Sequence, residues 1–487
     1  MKKLSLLLAV LLVPLFIGAK ETVVYHTSDT HGFFYPRNGQ GGFAALAAVI
    51  KKGPKEYLLL DSGDFANGTV ETKNSQGIKG VKMLNAMHYD ASTVGNHEFD
   101  FSENAVAPMI AASEFPWLAA NFFYADTLKR PEGVLPYKIF TRNGVKFAVI
   151  GLANRFPTQK TTKYTFTKPF DALEQALKEV EPQHPDVVIV IVHDSIEDDK
   201  HGTVSYVGEI GPKFGGRVHI VFGGHAHKTF ENVYKNGVLF VESGCYLAKT
   251  SKVTVTTDDK TGKFVSAKSE EIPLIIKKTG EDVLIKDYAD SLREPGVDVV
   301  LGRAAEKFPK RSPIKNHRDN ALDNWVSDIM KEYAQVDVAI ANTGGTRVDM
   351  EKGPVTKRDL IDIHPFDNGI VKMTVNGLFL KRLVLSGLTP WSRFAYSGAT
   401  ITYKLNKKGE AKDLKVWVNG KPVKNKTLYT IATNSFIANG GSEGRLFKEI
   451  PADKKETVGT KTIRDLIAEA LGKGAAVPPA TGRIVEK

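Results

Sequence analysis

The sequence has very little cysteine and no long apolar segment beyond its first residues. Cys245 is the single cysteine among 487 residues, so an intramolecular disulfide is excluded and stability has to come from packing. After Ile17 no apolar run approaches the ~20 residues of a membrane-spanning helix. With 42% hydrophobic and 25% charged residues, the composition argues against wholesale disorder, and the length allows two to four domains.

Residues 1–19 have the parts of a secretory signal peptide. Lys2 and Lys3 precede an apolar run from Leu4 to Ile17, and the small residues Gly18 and Ala19 follow. The run is too short to span a membrane. We therefore expect an exported protein with no membrane anchor after cleavage.

Basic residues outnumber acidic ones along the chain. Sixty-six Lys and Arg against 55 Asp and Glu give +11, which favours anionic partners such as phosphates. Basic residues occur in runs of two or three at most. This spread argues against a nucleic-acid-binding stripe.

Short apolar runs alternate with segments of helical periodicity from Thr22 to about Ile272. The runs, Trp117 to Ala120 among them, predict strands. Segments such as Phe43 to Lys51, Glu103 to Ala112 and Phe170 to Glu181 predict helices. Strands that alternate with helices predict a layered α/β domain, which we place at residues 20–278.

A charged, helix-like stretch from Glu281 to Glu294 ends at Pro295 and Gly296. It predicts a helical linker over 279–296, either a hinge or a rigid spacer. The second domain, 297–487, has a strong helical pattern from Leu322 to Tyr333 and then mixes strands with turns.

Metal-capable side chains follow five predicted strands of the first half. Since ligands collect at the carboxyl ends of strands in open α/β sheets, these side chains are candidates for one cleft. Within an extended segment, residues two apart point the same way, as in the pairs Asp29 with His31 and His225 with His227. The full set is Asp29, His31, Asp64, Asn96, His193, His225 and His227. Seven ligands with one bridging carboxylate make two four-ligand sites, and imidazole with oxygen ligands suits Zn, Mn, Fe or Co.

The order Asp-x-His, Gly-Asp, Gly-Asn-His-Glu, His and Gly-His-x-His resembles the calcineurin-like metallophosphoesterases. The segment Gly95 to Asp100 is similar to their 5′-nucleotidase branch, as are Asn342 to Arg347, His364 to Asn368 and Phe436 to Gly441. The resemblance covers nearly the whole chain after the signal peptide. It implies a four-layer α/β/β/α first domain, a helical linker and a smaller, mixed α/β substrate-binding domain.

The resemblance also implies a role for each ligand. One divalent ion is held by Asp29, His31, Asp64 and His227, and the other by Asp64, Asn96, His193 and His225, with Asp64 bridging. His97 becomes a catalytic histidine that binds no metal, and Asp100 orients it. An activated water is then the nucleophile, so no serine or cysteine nucleophile is needed.

In the second domain the resemblance implies that Asn342 and Arg347 hold polar parts of the substrate, and that Phe366 and Phe436 stack on a base. Two positions depart from the family pattern. The family continues Asn-Gly-Gly with Asp-Gly, whereas here Ser442, Glu443 and Gly444 follow, so either Glu443 replaces the acid or the sugar is read differently. A family arginine before the helix has no clear match, and Arg318 is the preferred candidate over Lys315.

With the signal peptide, the resemblance implies an exported hydrolase, periplasmic or secreted, that acts on nucleoside 5′-monophosphates with two divalent ions and has UDP-sugars and 2′,3′-cyclic nucleotides as further substrates. One alternative is the same dimetal site acting on a non-nucleotide phosphate or sulfur ester. The other is a catalytically decayed nucleotide-binding surface protein. Neither a nucleic-acid partner nor an obligate protein partner is expected.

Overall fold

The computed structural model describes residues 18–155, 157, 158, 161–197, 205–389 and 393–487, with the backbone alone at 442 and 443. Of the predicted signal peptide, only Gly18 and Ala19 lie within these residues. The described chain forms two units, one of residues 18–67, 75–197 and 205–291, the other of 68–74 and 292–487. The division at residue 291 falls inside the predicted linker, and the sequence pattern does not predict that 68–74 belongs to the second unit.

Two sheets form the centre of the first unit. The seven-stranded sheet has the spatial order Phe264–Pro273, Lys249–Asp258, Ala19–Thr27, Tyr57–Asp61, Ala91–Ser92, Trp117–Leu118 and Val134–Leu135. The six-stranded sheet has the order Thr229–Lys235, Val238–Ser243, Ile220–Gly223, Val187–Val192, Val145–Leu152 and Tyr137–Arg142. A two-stranded sheet pairs Phe122–Tyr124 with Tyr164–Phe166.

Apolar side chains of both large sheets form one buried cluster, which includes Val24, Leu60, Phe147, Ile189 and Phe222. A second cluster lies between the six-stranded sheet and the helix Pro169–Val180. The other helices of this unit are Phe43–Lys51, Ile78–Ala86, Val106–Ala112, Ile210–Phe214, Ile276–Thr279 and Val283–Ser291. These layers agree with the predicted α/β/β/α domain. In the described part of the chain, no helix has both the length and the apolar character needed to cross a bilayer.

The second unit is also a mixture of sheets and helices. Its five-stranded sheet has the order Phe394–Ser397, Val338–Asn342, Leu428–Asn434, Gly369–Asn376 and Glu456–Thr462, and its four-stranded sheet the order Lys421–Pro422, Ala411–Val418, Ala399–Leu405 and Ile484–Glu486. Val300–Ala304 pairs with Gly353–Thr356. The helices are Val70–Asn74, Ala321–Ala334, Lys357–Ile363, Gly377–Ser386, Ser435–Ala438 and Ile463–Gly472.

Side-chain caps fix where several of these helices begin. The Asn320 side chain accepts a hydrogen bond from the Asp323 N–H at the start of Ala321–Ala334. Thr356 with Asp359, and Thr462 with Asp465, form capping boxes. Each cap contributes about 1 kcal/mol to its helix. The first of them also positions a loop of the candidate site.

Candidate active site

All seven predicted metal ligands lie just beyond strands of the first unit. Asp29 and His31 follow Ala19–Thr27, and Asp64 follows Tyr57–Asp61. His193 follows Val187–Val192 in the other sheet, and His225 and His227 follow Ile220–Gly223. Neighbouring parallel strands therefore bring ligands from both sheets to the same edge.

The side chains form three overlapping groups whose ligand atoms lie within 4.8 Å of one another: Asp29, His31 and His227; His31, Asp64 and His97; and Asp64, His193 and His225. Asp64 belongs to two groups, because its Oδ2 lies 3.0 Å from His193 Nε2 and 4.0 Å from His31 Nε2. Asn96 joins the third group, with its Oδ1 2.8 Å from His225 Nδ1. This arrangement places Asp64 where a bridging ligand would lie.

Five of the seven ligand positions have a left-handed backbone. The φ angles are 52° at Asp29, 49° at His31, 60° at Asp64, 71° at His225 and 58° at His227. Non-glycine residues rarely adopt this region, and they keep it where function requires a particular side-chain direction. At these five positions the left-handed backbone sets the direction of the candidate ligand's side chain.

The two buried carboxylates make this cluster attractive to cations. Burial opposes ionisation of Asp29, but hydrogen bonding and charge from His227 outweigh it and lower the pKa of Asp29 well below its usual range. Burial likewise opposes ionisation of Asp64, and the charge of His193 lowers its pKa. For His193, the Asp64 carboxylate outweighs burial and raises the pKa to about 10.

The donor atoms themselves fit divalent ions. His31 Nε2 and His227 Nε2 lie 3.1 Å apart, a hydrogen-bond distance when one of them carries a proton, and close enough for both to bind one cation when neither does. His193 is fully buried, and its Nε2 lies 3.0 Å from Asp64 Oδ2 in an ion-pair contact that lacks hydrogen-bond geometry. On their other sides, His31 Nδ1 lies 2.7 Å from the Asn67 carbonyl and His193 Nδ1 lies 2.5 Å from the Ser62 carbonyl. These carbonyls accept the Nδ1 protons, so in both rings Nε2 is the atom that faces the ligand cluster.

His97 is held beside the ligand cluster by a short chain of polar contacts. Its Nδ1 lies 2.7 Å from Asp100 Oδ2, and its Nε2 lies 4.0 Å from Asp64 Oδ2. The Asn67 side chain donates to the same Asp100 oxygen. Asn67 thus contacts both His31 and Asp100, a role that the sequence reasoning missed and that no local spacing signals.

Glu98 was also missed, although it lies within the Gly-Asn-His-Glu motif. It is fully buried, and its carboxylate accepts backbone N–H bonds from Asp64 at 3.2 Å, Phe65 at 3.0 Å, Ala66 at 3.3 Å and Gly95 at 2.7 Å. Burial and the nearby Asp64 charge raise the pKa of Glu98 to about 8. The side chain ties the loop of Asp64 to the loop of Asn96.

In the second unit, four predicted substrate residues lie on connected loops. Asn434 donates to the Asn342 side chain at 2.6 Å, and Ser435 donates to Asn368 at 3.2 Å. The Arg347 guanidinium lies 6.0 Å from the centre of the Phe366 ring. Phe436 is 44% exposed, which is unusual for a side chain of this size and leaves a ring face open to a ligand.

A buried carboxyl anchors the loop that carries Arg347. The Thr346 hydroxyl donates to Asp323 at 2.5 Å, and the Asn320 amide donates to the same carboxyl. Burial raises the pKa of Asp323 to about 6. The capped start of the helix Ala321–Ala334 therefore fixes the loop.

The structure gives Arg318, another predicted substrate residue, contacts of its own. Arg318 donates from Nε to Glu486 at 2.8 Å and lines a cavity of about 150 Å³ with Arg393, Phe394 and Tyr403, which none of the other predicted substrate residues lines. The side chain of Glu443 lies outside the described residues, so its predicted role has no structural description here.

Comparison with known proteins gives two family matches. Residues 22–229 match the calcineurin-like phosphoesterase model, and residues 300–449 match the 5′-nucleotidase C-terminal domain model. The chain is 28% identical to Endonuclease YhcR of Bacillus subtilis over 82% of its length, but it spans only 34% of that protein. It is 25% identical to a 5′-nucleotidase of Vibrio cholerae, with 86% of this chain and 85% of that protein covered. The structure of a 5′-nucleotidase precursor from Thermus thermophilus superimposes with a TM-score of 0.81 at 22% identity, covering 96% of this chain and 99% of that one.

Proposed function

Because the chain belongs to the calcineurin-like phosphoesterases with a 5′-nucleotidase C-terminal domain, and is a metal-dependent phosphoester hydrolase, we propose that it releases phosphate from nucleoside 5′-monophosphates after export to the periplasm. UDP-sugars and 2′,3′-cyclic nucleotides are included in the proposed substrate range. The cofactor is proposed to be two divalent ions such as Zn or Mn.

The observation that carries this proposal is that the seven ligand side chains converge, with Asp64 shared between two groups and His97 beside it. Asp29, His31, Asp64 and His227 would hold one ion, and Asp64, Asn96, His193 and His225 the other. Bound as a pair, such ions supply a nucleophilic hydroxide at neutral pH and neutralise charge on the phosphoryl oxygens.

Each remaining residue has a part in the proposed reaction. His97, oriented by Asp100, stabilises charge on the phosphoryl group or gives a proton to the leaving alkoxide. In the second unit, Phe366 and Phe436 provide aromatic surface for the base, and Arg347 provides a planar, doubly donating cation for polar groups of the nucleotide.

The test measures phosphate release from AMP, UMP, UDP-glucose, 2′,3′-cyclic AMP, glycerol phosphate and bis-p-nitrophenyl phosphate, with Mn, Zn or chelator added. We expect chelator-sensitive turnover that is strongest on 5′-nucleotides. In the Phe366→Ala variant, KM for AMP should rise about tenfold or more through loss of stacking, while kcat/KM for bis-p-nitrophenyl phosphate should stay near that of the parent.

The outcomes separate the proposal from its alternatives. Metal-dependent activity confined to non-nucleotide esters would keep the catalytic centre and reject the nucleotide. The lack of any turnover with both ions bound would indicate a binding protein. Equal losses on both substrates in Phe366→Ala would remove that residue from base recognition.

A further inference from the structure

Much of the chain's excess positive charge lies in one short segment of the second unit. Residues 399–428, here called the lysine segment, contain eight lysines, no arginine and two acids, a net charge of +6 against +11 for the whole chain. The lysines are Lys404, Lys407, Lys408, Lys412, Lys415, Lys421, Lys424 and Lys426. No more than two are adjacent in sequence, so counting runs of basic residues does not reveal the concentration.

The fold gathers these lysines on three neighbouring strands and their turns. Ala399–Leu405 pairs with Ala411–Val418, which pairs with Lys421–Pro422, and all eight lysines are exposed. Lys404 lies directly opposite Lys412, and Lys415 lies opposite Thr402. Like charges at directly opposed positions destabilise an antiparallel pair. The segment therefore keeps an arrangement that an external anion would stabilise.

Glu410 and Asp413, the two acids of the segment, form no ion pair with its lysines among the described residues. Within the described residues, none of the eight ammonium groups forms an ion pair or a hydrogen bond, although the Lys408 and Lys424 backbone N–H groups donate to the Asn406 and Tyr429 side chains. Lysines elsewhere do pair, for example Lys178 with Glu174, Lys286 with Asp290 and Lys461 with Glu469. The lysine segment thus presents its charge to solvent.

Exposed leucines accompany the lysines. Leu405 is 36% exposed next to the turn that holds Lys407 and Lys408, and Leu428, 68% exposed, ends the segment. Leu378, 54% exposed, lies beside this end, because its N–H donates to the Asn425 carbonyl at 3.1 Å. At each end of the segment, lysines lie near an exposed leucine, and this combination matches the charge and the interfacial polarity of an anionic lipid layer.

We propose that the lysine segment docks on the surface of an anionic phospholipid bilayer, with the lysines against the headgroup phosphates and the exposed leucines at the interface. The chemistry favours lipid over nucleic acid. The segment has no arginine for base edges, and its Trp417 is only partly exposed, whereas single-strand binding relies on exposed stacking aromatics.

The test is co-sedimentation of the full mature chain with vesicles. We expect binding to vesicles in which about a third of the lipid is phosphatidylglycerol, no binding to pure phosphatidylcholine, and release at about 0.5 M salt, where charges are screened within a few ångströms. Replacing Lys404, Lys407, Lys408 and Lys412 by glutamine should weaken binding about tenfold or more.

A matched control removes the same charge elsewhere. Lys178, Lys286, Lys461 and Lys473 are exposed and ion-paired, and replacing these four by glutamine should leave vesicle binding near that of the parent. Both variants should hydrolyse AMP as the parent does, which verifies their folding. Equally weakened vesicle binding in both variants would mean that the net charge of the protein, and not the lysine segment, determines binding, and would overturn the proposal. So would unchanged binding of the lysine-segment variant, or displacement of the protein from vesicles by a single-stranded oligonucleotide at sub-stoichiometric amounts.

Discussion

His97 and His193 both lie within 4.0 Å of Asp64, yet only His193 is placed as a ligand. His97 is partly exposed and held through Asp100, so its removal should leave the ligand cluster intact. We predict that His97→Ala lowers turnover about a hundredfold to ten-thousandfold with both metals bound, as measured by steady-state kinetics and elemental analysis.

Asp64 should behave in the opposite way, because it belongs to two ligand groups. Asp64→Asn removes the charge that a bridging ligand shares between two ions, so elemental analysis should show loss of both. Asp126, an exposed residue, supplies the control variant Asp126→Asn, which should keep full occupancy. Full occupancy in Asp64→Asn would reject the bridging role, and metal loss in His97→Ala would reject the assignment of His97.

Glu98 is a positioning residue in this arrangement. Glu98→Gln would turn an NH2 group toward backbone N–H donors that now meet a carboxylate, which separates the Asp64 and Asn96 loops. We predict weaker Mn binding and loss of the exchange-coupled, dinuclear EPR signal. Glu103 also accepts backbone N–H bonds, from Thr162 and Lys163, so Glu103→Gln is a matched control that should keep the signal. A parent-like dinuclear spectrum in Glu98→Gln would contradict this role.

At the scale of elements, periodicity predicted the long segments better than the short ones. Phe43–Lys51 has the predicted bounds, and the predicted helix Leu322 to Tyr333 is Ala321–Ala334. The run Trp117 to Ala120 forms only the strand Trp117–Leu118. The N–H groups of Ala119 and Ala120 instead donate to the Leu135 and Gly151 carbonyls, outside the regular pairing of the sheet. The helix predicted from Glu103 begins at Val106, since the Glu103 side chain instead binds the loop at Thr162 and Lys163.

His219 links two adjacent strands and gives them a pH dependence. Its Nδ1 accepts the Val188 N–H at 2.9 Å, and burial lowers its pKa to about 4 from an ordinary value of 6.5. The unfolded chain therefore binds the proton more readily, so this contribution to stability is complete above pH 6.5 and is lost as the pH falls toward 4. Urea unfolding should show that His219→Gln removes about 2 kcal/mol of the stability difference between about pH 7.5 and pH 4.5. His88→Gln, at an exposed position, should not change that difference.

At the scale of the molecule, the sequence predicted best those site residues that lie close together in the chain. Asp29 and His31 were predicted to point into one cleft from strand geometry, and the structure places both in one ligand group, although their backbone is left-handed and not extended. His225 and His227 belong to two different ligand groups. The contacts of Asn67 with His31 and Asp100 join residues more than thirty positions apart, and spacing contains no information about them. Arg318 was preferred by its position before a helix, but Glu486, near the other end of the chain, holds its guanidinium.

The same geometry predicts that metal binding stabilises the first unit. The seven ligands come from loops that are distant in sequence and meet only in the folded unit, so ions that bind this set stabilise the folded state. At ion concentrations about a hundredfold above Kd, binding adds about 2.7 kcal/mol, which is about 5 to 10 °C in Tm for a unit of this size. Scanning calorimetry should show a higher Tm for unfolding of the first unit with Mn or Zn than with chelator, while the Tm of the second unit stays the same. Asp64→Asn should abolish the shift, because the bridge between the two proposed sites is gone; a shift of the same size in that variant would mean that the ions stabilise the protein from somewhere else.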